Sequence, residues 1–255
     1  MLKDKRTRLF FFLGGFFLAN TFIAEFVGVK IFSLEKTLGF LPFDWNVLGV
    51  EGLGFNLTAG VVLWPVVFVM TDIINEYFGK KGVKYLSNFA VLLILYAFAM
   101  VYFAIYLEPN GWWDTQSGLL QDPKISHMDD AFRAVFGQGL WIIVGSLVAF
   151  LIGQIVDVMV FQKIRSWTGE KSIWLRATGS TLVSQFIDSY IVLIIAFYVG
   201  ADWDIVRVLA IGSVNYIYKF AMAILLTPVI YIAHYWIDRY LGKSLSDSLK
   251  HEATL

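Results

Sequence analysis

The sequence predicts an all-α polytopic membrane protein, with six transmembrane helices in one domain (residues 1–255) and both termini cytoplasmic. Three observations carry this. The 255 residues are 58% hydrophobic with a mean hydropathy of +0.68, and only 16% are charged, against about 25% in an average soluble domain. The apolar residues arrive in blocks of about twenty, the length that crosses a hydrocarbon core. Lys and Arg gather in alternate connections, the pattern that sets membrane orientation.

The first span, Leu9 to Val29, follows Lys3, Lys5, Arg6 and Arg8. Its apolar run continues past Phe26 and no A-x-A site follows, so it reads as a span and not as a cleaved signal peptide. The second, Leu57 to Phe78, stops at Gly79, a C-cap residue, and carries Pro65, which should kink or open it. Lys80, Lys81 and Lys84 separate it from the third, Tyr85 to Leu107. A solvated acidic loop from Glu108 to Asp130, with His127 exposed, leads to the fourth, Val135 to Phe161. Lys163, Arg165, Lys171 and Arg176 precede the fifth, Ala177 to Val199. The sixth, Val208 to Trp236, runs into a tail with Arg239, Lys243 and Lys250.

These basic clusters all fall on one side and outnumber Lys30, Lys36, Lys124, Arg133 and Arg207 on the other. An even number of spans satisfies that asymmetry. Trp112, Trp113, Trp141, Trp167, Trp174, Trp203 and Trp236 lie near span ends, as an interfacial belt does. Zero net charge offers no argument for a nucleic-acid partner. The absence of cysteine excludes disulfides and thiolate metal sites, and no cofactor enters the reading.

Ionisable groups inside spans cost about 2.5–3.5 kcal/mol each at mid-helix, so they are functional candidates. Asp72 lies about 10 Å inside its helix end. Asn75 and Glu76 follow at i+3 and i+4 and share its face. For Glu76 a headgroup position paired with Lys80 competes with a site role. The fourth and fifth spans both carry Gln-x-x-Asp: Gln154 with Asp157, and Gln185 with Asp188. The two spans run in opposite directions, so this is either a trace of an inverted repeat or coincidence. Asp188 lies about 18 Å into its span, near the bilayer centre. Lys219 sits mid-span, too deep to snorkel easily, and needs a carboxylate such as Asp188, Asp157 or Asp72. Asn215 stands one turn before it. Arg176 reads equally as interface anchor and site residue. Asn20 and Glu25 are weaker candidates, Glu25 near the outer interface.

These groups describe a polar, aromatic-walled cavity in a helical bundle. A secondary transporter needs such a midplane site. A membrane subunit of an ATP-driven importer would look similar, and without G-x-x-x-x-G-K-[ST] its ATPase would be another chain. No H-E-x-x-H or G-x-S-x-G motif supports a hydrolase, and mixed site groups do not form the like-charged rings of a channel.

Four blocks, "FVMTDIINEYFG", "GQIVDVMVFQKIR", "WLRATGSTLVSQFIDS" and "VNYIYKFAMAI", together resemble the queuosine-precursor transporter family, also called vitamin uptake transporter-like proteins. They cover the second, fourth, fifth and sixth spans in order. The resemblance implies a bacterial inner-membrane protein that imports 7-deazaguanines such as 7-cyano-7-deazaguanine. It places the family's characteristic residues on Asp72, Gln154, Asp157, Asp188 and Lys219. Some relatives carry Arg where this chain has Glu76 and Asn where it has Gln185, which leaves the nitrile, the aminomethyl form and queuine all open as substrates.

The residues suit such a ligand independently. One carboxylate can accept its ring N–H and exocyclic NH2 together. Its carbonyl needs a donor from Gln154, Gln185, Asn215 or Lys219, and its ring suits aromatic walls. Pterins and flavin-like rings would satisfy the same groups. The expected mechanism has Asp72, Asp157 and Asp188 lining the cavity, with Lys219 neutralising one carboxylate until ligand arrives. Proton coupling and facilitated diffusion are both compatible with these residues.

Overall fold

A computed structural model describes residues 4–116, 124–137, 139–169 and 172–254. Lys3 and Lys171 of the basic clusters, and part of the acidic loop, lie outside the described residues. Asp4 opens the first helix, α1 (Lys5–Val27), by accepting the amides of Arg6 and Thr7 at 3.3 and 3.2 Å, the ordinary work of an N-cap. Beyond it the chain forms β1 (Ile31–Ser33), α2 (Leu34–Thr37), β2 (Trp45–Val47), β3 (Val50–Leu53) and β4 (Asn56–Thr58). β1 pairs antiparallel with β4, and β2 with β3. Buried Glu35 ties this segment together, its carboxylate accepting the Phe55 amide at 2.7 Å and the Ser33 hydroxyl at 3.0 Å.

This segment corrects the second span. Leu57 belongs to β4, a 3-10 turn covers Ala59–Val62, and the helix α3 starts only at Trp64 (Trp64–Ile105). Gly60 lies against the Ala24 carbonyl so closely that a Cβ would clash. Pro65 occupies the first turn of α3, where a missing N–H costs nothing. It starts the helix instead of kinking it.

Straight, α3 would run about 63 Å at 1.5 Å per residue, twice a hydrocarbon core. It is broken at Gly79, whose φ of 65° and ψ of −175° leave the helical region, a conformation glycine adopts without Cβ penalty. The contacts of α1 show what the break does. Phe10 meets Phe78 at 4.9 Å beside Gly79, Ala24 meets Gly60, and Phe26 stacks on Phe98 at 5.4 Å. Both arms therefore run along α1, and the chain doubles back at Gly79. Thr71 and Ser87, equally far from Gly79, both reach the Gln154 Oε1.

After α3 come α4 (Gly111–Asp114), α5 (Met128–Phe136), α6 (Leu140–Thr168) and α7 (Ile173–Leu193), the last extended by a π-helical turn, Ile194–Val199. Then follow α8 (Ile205–Leu225), α9 (Thr227–Leu241) and α10 (Lys243–Glu252). The sixth predicted span is thus interrupted: α8 ends ahead of Pro228, which sits in the first turn of α9 and disfavours helical backbone just before it.

Among the described residues, five helical segments are long and apolar enough to cross a membrane: Lys5–Val27, Trp64–Ile105, Met128–Thr168, Ile173–Val199 and Ile205–Leu241. This is an all-α membrane protein with two small strand pairs between α1 and α3. The main core joins α1, both arms of α3 and α6 through Leu13, Phe17, Val67, Ile74, Leu86 and Phe150. Phe11, Phe12, Leu92, Tyr96, Met159 and Leu225 are exposed on the outside of the bundle, as lipid-facing residues are. The end carrying Gly79, Lys80, Lys81 and α10 is called the basic end below, and the opposite one the loop end.

Candidate functional site

Helical spacing gathers the polar residues. On α7, Ser180, Thr181, Ser184, Gln185 and Asp188 recur at offsets that share one stripe, and it faces α3, α6 and α8. On α3, Asp72, Asn75 and Glu76 share a face as expected, and each is at most 1% exposed. Gln154 and Asp157 come from α6, and Lys219 from α8. Together they form a buried polar seam with distinct levels.

At the basic end, Glu76 is clasped by Arg176: Nη2 donates to Oε1 at 2.6 Å and Nε to Oε2 at 3.1 Å. Arg165 Nη2 lies 3.7 Å from the same carboxylate. Arg176 also donates to the Gly169 carbonyl at 2.7 Å and covers the Phe161 ring. This overturns the headgroup reading of Glu76, whose partner is Arg176 and not Lys80. It also removes Arg165 and Arg176 from the surface loop to which their charges assigned them, because both are buried.

One turn further in, Gln162 Nε2 donates to Asn75 Oδ1 at 2.9 Å. Asp72 follows, held among the described residues by the hydroxyls of Ser180 at 3.4 Å and Thr181 at 3.3 Å. Asp157 accepts the Ser184 hydroxyl at 3.0 Å. Gln154 Oε1 accepts from Thr71 at 3.0 Å. Lys219 Nζ contacts Asp188 Oδ2 at 2.5 Å, which resolves its partner among the three candidates. Glu25, two residues before the loop-end terminus of α1, is buried against α6, whose Ser146 donates to its carboxylate.

A cavity opens between α3, α7 and α8 and is closed by the start of α9, bounded by Asp72, Thr181, Gln185, Lys219, Phe68 and Ile230. Its volume of about 10 Å³ is room for roughly one water. Of the sequence candidates, Asp72, Gln185 and Lys219 line it. Asp188 stands behind Lys219, and Gln154 and Asp157 stand beside it on α6, so the expectation that all three aspartates line the cavity is corrected. Asn75, Glu76 and Arg176 belong to the basic end, and half-buried Asn215 does not line the cavity. The aromatic walls are also corrected: Phe68 is the aromatic residue lining it, among Val69, Ala223, Leu226 and Ile230. The other rings pack helix against helix or face outward, as in the Phe10–Phe78 and Phe186–Tyr216 pairs.

Sequence reading missed Ser180, Thr181 and Ser184, although their spacing with Gln185 and Asp188 carried the signal. It also missed a group beneath the basic end. Tyr77 donates to Asp238 at 2.7 Å, so His234 Nδ1, at 3.0 Å from the same hydroxyl, must be the donor to it. Lys250 of α10 reaches Asp238 at 2.9 Å, and its carbonyl accepts from Arg165 at 2.9 Å. No spacing rule joins α10 to α3.

Residues 58–233, which contain the whole seam except Glu25, match the family model described as Putative vitamin uptake transporter. The chain belongs to this family. Three curated relatives are similar to the chain over most of their length. The Probable queuosine precursor transporter of Bacillus subtilis is 32% identical over 191 residues, covering 72% of this chain and 74% of the relative. That of Haemophilus influenzae is 25% identical, covering 79% and 80%. The Queuosine precursor transporter of Escherichia coli is 26% identical, covering 69% and 72%. No solved structure matches the chain. With this family membership and its long apolar helices, the chain is a multi-pass protein of the bacterial inner membrane.

Proposed function

We propose that this chain imports a 7-deazaguanine queuosine precursor through the α3–α7–α8 cavity. In this reading it crosses the membrane six times, with the basic end and both termini cytoplasmic. The reversal at Gly79 makes α3 two passes, and the positive-inside bias supports the orientation. The relatives' names support the substrate class.

One observation carries the reading: an acceptor, an amide and a cation from three helices converge on one buried cavity in an apolar bundle. Among the described residues, Asp72 is held by two hydroxyl contacts beyond 3.2 Å, at the weak end of hydrogen bonding. Its carboxylate is free to exchange them for a ring N–H and an exocyclic NH2. Gln185 Nε2 is a buried donor with no partner among the described residues and suits the ligand carbonyl. Lys219 keeps Asp188 neutralised and turns toward the ligand when it enters. Ligand pockets typically hold about 300 Å³ or more, so this contracted cavity must widen, by α8 moving from α3 and α7. Clasped Glu76 meanwhile closes the basic end.

The test is the purified chain alone in liposomes, with labelled 7-cyano-7-deazaguanine. Uptake without an ATPase supports the carrier. Binding without uptake points to a subunit of an ATP-driven importer, and neither binding nor uptake overturns the substrate class.

A further inference from the structure

Asp157 is fully buried, and its second oxygen, Oδ2, has no hydrogen-bond partner among the described residues. Its first oxygen depends on Ser184, whose hydroxyl has a single proton to give and whose Oγ is also 3.1 Å from the Thr181 carbonyl. Asp72 faces the same hydroxyls. Ser180 reaches Asp72 at 3.4 Å but lies 3.0 Å from the Ala177 carbonyl, and both Ser180 and Thr181 also interact with Asp157. Each hydroxyl donates one hydrogen, whereas an ionised carboxylate only accepts. Two ionised carboxylates here would be short of donors in a place where an unmet acceptor is costly.

The surrounding charged and titratable groups do not relieve this. From α3, Glu76 is taken by Arg176 of α7 and approached by Arg165 of α6. From α7 and α8, Asp188 and Lys219 hold each other. From α1, Glu25 is another acid, bonded to Ser146. From α9, His234 and Asp238 are joined through Tyr77. Neither Asp72 nor Asp157 has a Lys, Arg or His within ion-pair distance among the described residues. One added proton supplies the missing donor and removes one of two like charges. Ionisable residues buried within spans also form the proton relays of pumps and transporters.

We propose that the Asp72–Asp157 pair carries one exchangeable proton and that import is a symport of one proton with each ligand. The proposal rests on the carrier reading above. In the loop-end-open state one carboxyl O–H forms with a proton from that side, and ligand binds the neighbouring carboxylate. In the basic-end-open state ligand leaves and the O–H bond breaks. The proton passes to cytoplasmic water, which enters the opened basic end past the Asn75–Gln162 level and supplies the donors that the ionised pair needs until it collects another proton.

Proteoliposomes separate this proposal from its premise. Counterflow of labelled against unlabelled 7-cyano-7-deazaguanine is measured first, at equal pH on both sides. An inward gradient of one pH unit is then imposed, with the membrane potential clamped by potassium and valinomycin. One proton per ligand predicts accumulation approaching about tenfold over equilibrium, collapsing with a protonophore. Counterflow with onefold accumulation overturns the coupling and leaves the carrier reading standing. Absence of both counterflow and binding overturns both. Asp157→Asn is expected to lose at least about fivefold more of the gradient-driven accumulation than of the counterflow. Equal loss of the two, or wild-type accumulation, overturns the assignment to this pair.

Discussion

Asp72 and Glu76 stand one turn apart on the same helix face, equally buried, and the protein treats them in opposite ways. Glu76 receives a charge-assisted, two-pronged grip from Arg176 at 2.6 and 3.1 Å, the strong form of such contacts. Asp72 receives hydroxyls at 3.3 and 3.4 Å. The difference separates a clasp from a docking group. Glu76 joins α3, α6 and α7 at the basic end, where Arg165 beside it also donates to α10, whereas Asp72 keeps a carboxylate that can change partners. A helix meant to open and close needs both.

The largest expected effect breaks the clasp. Glu76→Ala leaves Arg176 buried without its counter-charge, which costs about 3–5 kcal/mol and should abolish a cooperative thermal transition in detergent. Replacing both partners with apolar residues, Glu76→Leu with Arg176→Met, should recover most of that loss. If the double variant is as unstable as the single one, the pair is not acting as a charge clasp.

Asp72→Asn should do the reverse. Its stability should change by less than about 1 kcal/mol, since only weak hydroxyl contacts are altered, while uptake of labelled deazaguanine falls at least tenfold, about 1.4 kcal/mol. Normal uptake at normal expression would remove Asp72 from the site. The comparison then loses its functional half.

The C-terminal helix offers a milder test of the closed basic end. Lys250 reaches Asp238, its carbonyl accepts from Arg165, and the Ala253 carbonyl would lie 2.9 Å from a Cβ on Gly79. Ending the chain at Gly242 should loosen this cover. The protein has no cysteine, so a single Gln162→Cys reports on the opening. Its labelling by a hydrophilic maleimide should rise about fivefold, near 1 kcal/mol. An unchanged rate would mean that α10 lies against the gate without restraining it.

What was legible in the sequence follows the range of the forces involved. The common face of Asp72, Asn75 and Glu76 is a matter of local helical spacing, and Gly79 as a terminator is local backbone chemistry. Both stand in the structure. The start of α3 at Trp64 depends on β4 pairing with β1 and on Gly60 meeting Ala24, contacts that no window along the chain contains. The partner of Glu76 lies a hundred residues away, so Lys80, four residues on, was the natural local alternative. Lys219 could be given a carboxylate from the cost of burying it alone, but Asp188 could be chosen only once α7 lay beside α8. The hydroxyls of α7 were visible as a stripe. They carry no charge, and a search for ionisable groups passes over them.

An acid–base pair in water completes the comparison. His127 Nδ1 lies 2.8 Å from Asp114 Oδ2, linking α5 to α4 on an exposed surface. The Asp114 carboxylate hydrogen-bonded to it holds the His127 imidazole above its ordinary value of 6.5. The Asp129 amide, and then His127, hold Asp114 below its usual range. The signs set the pH window. The raised histidine contributes fully below 6.5 and loses its contribution as pH rises through its folded value. The lowered Asp114 contributes above its ordinary value and loses its contribution only in stronger acid. The α4–α5 link should therefore be tightest in mildly acidic solution and weaken toward neutral pH and in high salt. Titrating the His127 ring by NMR should give a midpoint that falls toward 6.5 in Asp114→Asn. A midpoint that does not move would mean the pair is absent in solution. Thermal stability should change least of all in this variant, because exposed pairs contribute little. The grip on Glu76 therefore owes its strength to burial, and the same chemistry in water makes only a weak tether.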